Sequence, residues 1–292
     1  MPEGDTVWRT AQRLDKALAG GQVIVSDLRF PEVATTDLRG TTTLEVVSRG
    51  KHLLHRFDNG LTLHSHLRME GQWRVEAPAD APRWLRREDL RAAVGTANWT
   101  ALGLRLGMLD LVPTSAEGTL VGHLGPDVLG SDWDQTTAIA NLRSSGTTVA
   151  AALLDQRNLA GIGTLWASES LFLSRVGPWT PIADVGDHDL RAVVARAHDL
   201  LSQARHHAVQ SSTGIRRRGE ESYVHARSGR PCRRCGTTVR VAMIGPPTRE
   251  RTMFYCPGCQ GGVGPTDDGR PQRPLGATAG RSSGRTTGYR RN

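Results

Sequence analysis

The feature that most constrains this chain is a pair of Cys-x-x-Cys motifs near its C-terminal end. Cys232, Cys235, Cys256 and Cys259 are its four cysteines, and all fall within one short segment. Clustered thiols in a chain without a secretion signal favour a metal over disulfides. Each pair can bite one Zn²⁺, and four thiolates close a tetrahedron. The stretches "TTVRVAMI" and "TMFYC" between and beside the pairs read as the two strands of a zinc-ribbon hairpin. A redox dithiol is the alternative use of the same residues. A closed Cys₄ site has no open coordination position, so one structural Zn²⁺ is expected, folding a module too small for its own core.

Charge narrows the partner. The chain has 292 residues, 37 Lys and Arg against 29 Asp and Glu, and a formal net charge of +8. That balance suits an anionic partner, nucleic acid first and an anionic membrane surface second. The sequence shows no apolar run long enough to span a bilayer and no signal segment, so a cytoplasmic protein is expected.

The hydrophobic pattern divides the chain. Asp5 can cap a helix whose apolar positions are Val7, Ala11, Leu14 and Leu18, ended by Gly20-Gly21. From Gln22 to Pro113 the runs are rich in branched residues, and "DNG" at 58–60 marks a hairpin. Helical patterns follow from Gln135, and "RNLAGIG" is a turn feeding the helix "TLWASESLF". The fold class expected is α+β multidomain: a β-sandwich catalytic domain with the first helix over 1–113, a linker over 114–134, a helical DNA-binding domain over 135–225, a zinc finger over 226–262, and a disordered basic tail over 263–292.

The motifs "MPEGD", "RGKH", "DQRNLAGIGTLWASESLF" and "RTMFYCPGCQ", in that order, resemble the Fpg/Nei, or helix-two-turn-helix, DNA glycosylases. The likeness covers the chain up to about residue 262, and "MPEGDTVW" is similar to the endonuclease VIII branch. The Arg-Phe loop motif associated with formamidopyrimidine enzymes is not evident in "TANWTALGLRLGMLDL".

The resemblance implies a bifunctional DNA glycosylase and AP lyase that excises oxidised bases, pyrimidines favoured, from double-stranded DNA, as a monomer. It implies that the initiator methionine is clipped and that the Pro2 amine attacks C1′ of the damaged nucleotide as an iminium-forming nucleophile. Glu3 is then the acid that protonates the sugar ring oxygen. Lys51, in the turn after "EVVSRG", is the phosphate-contacting lysine. Arg251 is the finger arginine that clamps phosphate, and Met69 in "HLRMEG" the wedge that fills the gap left by an extruded base. Thr164 stands where the family normally has asparagine, and is expected to keep a weakened phosphate contact at a helix start. Glu169 matches the acidic residue of "ASES", with structural capping as its alternative. His64, His66, His206 and His207 read as structural or phosphate-facing. Thr164, together with "VHAR" at 224–227 in place of Tyr-Gly-Arg, motivates a second function: a damaged-DNA-binding protein without turnover.

Overall fold

Helix α1 (Gly4–Leu18) buries the stripe set by its helical spacing, Val7, Ala11, Leu14 and Leu18, against a β-sandwich, and the left-handed Gly20 follows its end. The computed structural model describes residues 2–269; most of the tail expected over 263–292 lies outside them. One sheet has the order β2 (Thr43–Arg49), β3 (His52–Phe57), β4 (Leu61–His66), β8 (Met108–Pro113). The other runs β1 (Val25–Leu28), β6 (Leu90–Gly95), β7 (Thr100–Leu104), β5 (Gln72–Glu76). All neighbours are antiparallel, and the "DNG" segment joins β3 to β4. Val46, Phe57, Leu63, Trp73 and Val94 form the core between the sheets and α1. The short helix α2 (Ala81–Leu85) packs its Trp84 and Leu85 on the second sheet's other face.

Asp5 does not cap α1. Glu3 occupies the N-cap position and makes no side-chain bond to its own helix. Asp5 is fully buried and accepts from Trp166 Nε1 at 3.0 Å and Gln210 Nε2 at 2.8 Å. Those donors come from the other domain, out of sight of local pattern rules.

Residues 114–134 are more than a connector. They contain α3 (Gly118–Val121), and Glu117 beside it accepts from Arg56 at 2.7 Å and Thr62 at 2.6 Å. The helical domain follows: α4 (Gln135–Ser144), α5 (Val149–Leu154), α6 (Thr164–Leu173) and α7 (Asp187–Ala204). Its core gathers Leu142, Leu153, Trp166, Leu171, Val193 and Leu201. Every residue of α6 except Leu173 is buried, which makes it the central helix. The C-terminal hairpin, β9 (Arg240–Ile244) with β10 (Arg251–Tyr255), packs on α6 through Phe172, Val241 and Phe254.

The ordered chain continues past 262, where the tail was expected to begin. Gly264 N–H donates to Tyr255 Oη at 2.9 Å, and the Asp267 side chain, 1% exposed, pairs with Arg240 at 2.5 Å. The charge and glycine content that mark this stretch as tail also let it fold back onto the hairpin. Among the described residues no helix is long and apolar enough to cross a membrane.

Candidate active site

The chain start docks on the turn that feeds α6. Gly4 N–H donates to Gly161 O at 2.9 Å. A Cβ on Gly4 would meet the Gly161 Cα at 3.0 Å, and Gly161 has φ +103°, so both positions need glycine. This close approach brings Glu3 over the start of α6. Gly163 N–H donates to its Oε2 at 2.8 Å, Leu165 N–H to its Oε1 at 2.8 Å, and Trp166 N–H to Oε2 at 3.3 Å. Glu3, 1% exposed, therefore satisfies the orphan donors of a helix in another domain. Burial nevertheless raises its pKa above the usual carboxylate value; the Lys51 ammonium and the backbone N–H groups pull it back, and the Asp5 charge adds to the rise.

Lys51 arrives from the opposite side. It follows Gly50, left-handed at φ +58°, in the β2–β3 turn. The Gly50 N–H donates to the buried Asp127 carboxylate at 2.7 Å, and Arg49 pairs with Asp132 at 2.7 Å, so the segment after α3 grips the turn from behind. Lys51 Nζ donates to Ile162 O at 2.5 Å. Burial lowers its pKa to about 8, against the pull of Glu3 and with help from Arg251. Pro2, half-buried, lines a pocket of about 520 Å³ with Arg9, Arg13 and Arg74. A larger cleft of about 1200 Å³ runs between the helical domain and the hairpin, lined by Gln156, Arg157, Asn158, Arg249 and Arg251.

The four cysteines converge at the base of the hairpin. Cys235 and Cys256 sulfurs lie 3.4 Å apart, Cys232 and Cys259 4.0 Å, and all four fall within 4.8 Å of one another. A tetrahedral zinc with Zn–S bonds of about 2.3 Å sets its sulfurs about 3.8 Å apart, so the cluster fits that ion. A Cβ on Gly258 would meet Thr237 Oγ1 at 2.5 Å and the Cys235 sulfur at 3.2 Å, which explains glycine before Cys259.

Family models match in two blocks: the formamidopyrimidine-DNA glycosylase N-terminal domain over residues 1–103 and the formamidopyrimidine-DNA glycosylase H2TH domain over 124–215. The chain is 49% identical to the probable endonuclease 8 2 of Streptomyces coelicolor over 92% of its own length and 98% of that protein's. This chain belongs to the formamidopyrimidine-DNA glycosylase family. It is also 41% identical to the Mycolicibacterium smegmatis protein named DNA-(apurinic or apyrimidinic site) lyase Nei2, covering 89% of this chain and 99% of that one. Formamidopyrimidine-DNA glycosylase of Lactococcus lactis, solved with DNA containing an AP site, shares the fold at a TM-score of 0.75 and 24% identity, over 89% of this chain and 99% of that one.

Within this family fold, Glu3 and Lys51 come together on residues 162–166, with Pro2 next to Glu3 in the chain, and Arg251, exposed at the start of β10, lines the larger cleft and lies near enough to act electrostatically on Lys51. Met69 stands apart in the β4–β5 turn, 61% exposed, behind the left-handed Arg68. Thr164 is only 4% exposed, and the N–H groups of Gly163, Leu165 and Trp166 at this helix start are spent on Glu3 rather than left open for a phosphate. Glu169 is fully buried on α6 and accepts from the backbone N–H groups of Tyr223, Val224 and His225 at 2.7–2.9 Å, the capping alternative.

A histidine chain beside Lys51 was not read from sequence. Asp110 Oδ2 lies 2.9 Å from His64 Nδ1, and His64 Nε2 lies 2.7 Å from His52 Nδ1. A carboxylate only accepts, so His64 presents an N–H at Nδ1 to Asp110, and a single proton lies between His64 Nε2 and His52 Nδ1. Burial, then the neighbouring histidines and Lys51, lowers the His52 pKa to about 3, so it is neutral at pH 7. The signal for this pair is strand register, His64 opposite Asp110, which needs the β4–β8 pairing to be known.

Proposed function

We propose that this protein is a bifunctional DNA glycosylase and AP lyase acting on oxidised bases, pyrimidines favoured, in damaged double-stranded DNA. One observation carries the reading: Glu3 and Lys51, the two groups that would handle protons and charge, meet on the loop that also docks the residues beside Pro2. With the initiator methionine removed, Pro2 carries a secondary amine, and an α-amino group titrating near 7.7–8.0 keeps a useful neutral fraction at pH 7. The ring nitrogen attacks C1′, the glycosidic bond breaks, and the resulting iminium draws electrons from the sugar as the C2′ proton leaves and the 3′ C–O bond is cleaved.

Glu3 fits the acid role because burial raises its pKa above the usual carboxylate value and so favours the form that can give up a proton. Arg251 lines the larger cleft and its charge reaches Lys51, and phosphate is the ligand such a pair of cations would grip. Met69, exposed on its turn, suits the wedge role. Cys232, Cys235, Cys256 and Cys259 would hold a structural Zn²⁺, which supplies folding energy to the hairpin that carries Arg251.

The test is borohydride trapping on oligonucleotides that each carry one oxidised pyrimidine, one oxidised purine or an abasic site. A covalent adduct with the wild type, absent for Pro2→Gly, is the expected result. Tight binding to the same DNA without adduct or nicking would select the non-catalytic damage-binding reading instead.

A further inference from the structure

Three consecutive residues dock Gly4, Lys51 and Glu3. Gly161 O accepts from Gly4 N–H at 2.9 Å, Ile162 O accepts from Lys51 Nζ at 2.5 Å, and Gly163 N–H donates to Glu3 Oε2 at 2.8 Å. The path of this tripeptide therefore sets where the chain start, the ammonium and the carboxyl stand relative to one another. With Gly161 at φ +103°, in a region that side chains rarely adopt, the tripeptide needs an outside restraint to keep one shape.

That restraint is Gln156. Its Oε1 accepts from Gly161 N–H at 3.0 Å, and its Nε2 donates to Ile162 O at 2.9 Å and to Leu154 O at 3.0 Å. The two bonds hold the 160–161 peptide by its N–H and the 162–163 peptide by its carbonyl, one on each side of the 161–162 peptide, and the bonding pattern fixes which end of the amide is oxygen. Ile162 O thus receives both Gln156 Nε2 and Lys51 Nζ, filling the two lone pairs of one carbonyl. Gln156 sits at the end of the "LLDQ" run just beyond α5 and lines the cleft, but all the hydrogen bonds described for its side chain point inward to this backbone.

We propose that Gln156 is a positioning residue: by holding the Gly161 N–H and the Ile162 carbonyl it sets the geometry of Lys51, Glu3 and the Pro2 end of the chain. Its bonds are made to backbone, so it acts on the reaction through these groups and not by contact with the reacting sugar. This rests on the reading of Pro2 as nucleophile given above. A misplacement of reacting groups by a fraction of an ångström to 1 Å slows chemistry by about tenfold to a hundredfold while leaving binding contacts elsewhere intact.

The experiment compares wild type, Gln156→Met and Gln156→Glu on abasic-site DNA, by single-turnover borohydride trapping at saturating protein, and on DNA with a tetrahydrofuran site, by affinity. Gln156→Met removes both polar ends at similar length. It is expected to trap at least about tenfold more slowly with its affinity within about twofold of wild type. Gln156→Glu keeps the shape and the acceptor for Gly161 N–H. It places a negative charge near Lys51, and is expected to move the alkaline limb of the trapping–pH profile upward, a shift that general loosening of the fold does not produce. If Gln156→Met fails to fold, as shown by its melt, the isosteric Gln156→Glu profile decides alone. Wild-type trapping rates in Gln156→Met, or an unshifted limb in Gln156→Glu where that variant decides, overturn the proposal. A wild type that forms no adduct overturns the nucleophile reading, so the two failures are distinguishable.

Discussion

Glu3 accepts the backbone N–H of Leu165 at 2.8 Å across 162 positions of sequence. The bond joins the first residues of the sandwich domain to the central helix of the other, and it places an acid at a helix N-terminus while burying it. The two effects oppose each other: the N–H groups favour the carboxylate, burial favours the acid, and burial wins.

A sign for stability follows from that balance. A group whose folded pKa is raised contributes stability fully present below its unfolded value of 4.5 and lost as pH rises through the folded value. Glu3→Gln removes the titration, so its melting temperature relative to wild type should be higher at pH 8 than at pH 4. It should also excise intact damaged bases poorly while still cleaving abasic sites, where no base remains to be expelled. Parallel melting curves across pH, or equal loss on both substrates, would contradict the role drawn here for Glu3.

Lys51 gives a kinetic signature. With its pKa lowered to about 8, the ammonium that faces Glu3 and Arg251 loses its proton over the range where assays are run. Trapping should fall as pH passes about 8, and Lys51→Met should lose that limb along with about a hundredfold in rate. A limb that survives in Lys51→Met belongs to another group, with the Pro2 amine the first candidate.

The cysteine cluster predicts one zinc per chain by elemental analysis. Cys256 is fully buried among Phe172, Val241 and Phe254, so Cys256→Ser should lose the metal, lower the melting temperature and weaken DNA binding together, because the hairpin carries Arg251. Full DNA affinity in a metal-free Cys256→Ser protein would show that the hairpin holds its shape without the ion.

Much of the fold was legible in local pattern. The α1 stripe, the "DNG" hairpin, the Cys-x-x-Cys spacing and the turn before α6 are all short-range signals, and each element formed where its pattern stands. The site was legible mainly as a set of motifs in order, which says which residues matter and not how they meet. Asp5 looked like a cap because its partners, Trp166 and Gln210, lie far along the chain. The helix start at Thr164 looked open to phosphate because nothing local reveals that Glu3 already fills it. Asp127 and Gln156 carried no signal because their work is done on backbone groups that any sequence possesses.

The segment after the last cysteine supplies a test on the fold itself. Asp267 accepts from Arg240 at 2.5 Å and from Tyr255 Oη at 2.5 Å, and Tyr255 stacks edge-on against Trp179 of the helical domain at 4.7 Å between ring centroids. The Arg240 hydrogen bond, outweighing the cost of burial, holds the Asp267 pKa down to about 2. A depressed carboxylate contributes stability present above its unfolded value of 3.8 and lost as pH falls through the folded one, a difference worth about 2 kcal/mol. Asp267→Asn should therefore destabilise the protein at pH 7 by roughly that amount, and the gap to wild type should close as pH drops from 4 toward 2. The Arg240 guanidinium then loses its partner without any change at the cysteines, so zinc content should stay at one per chain. A variant that melts with wild type at pH 7 would mean that residues 263–269 lie on the hairpin without bracing it.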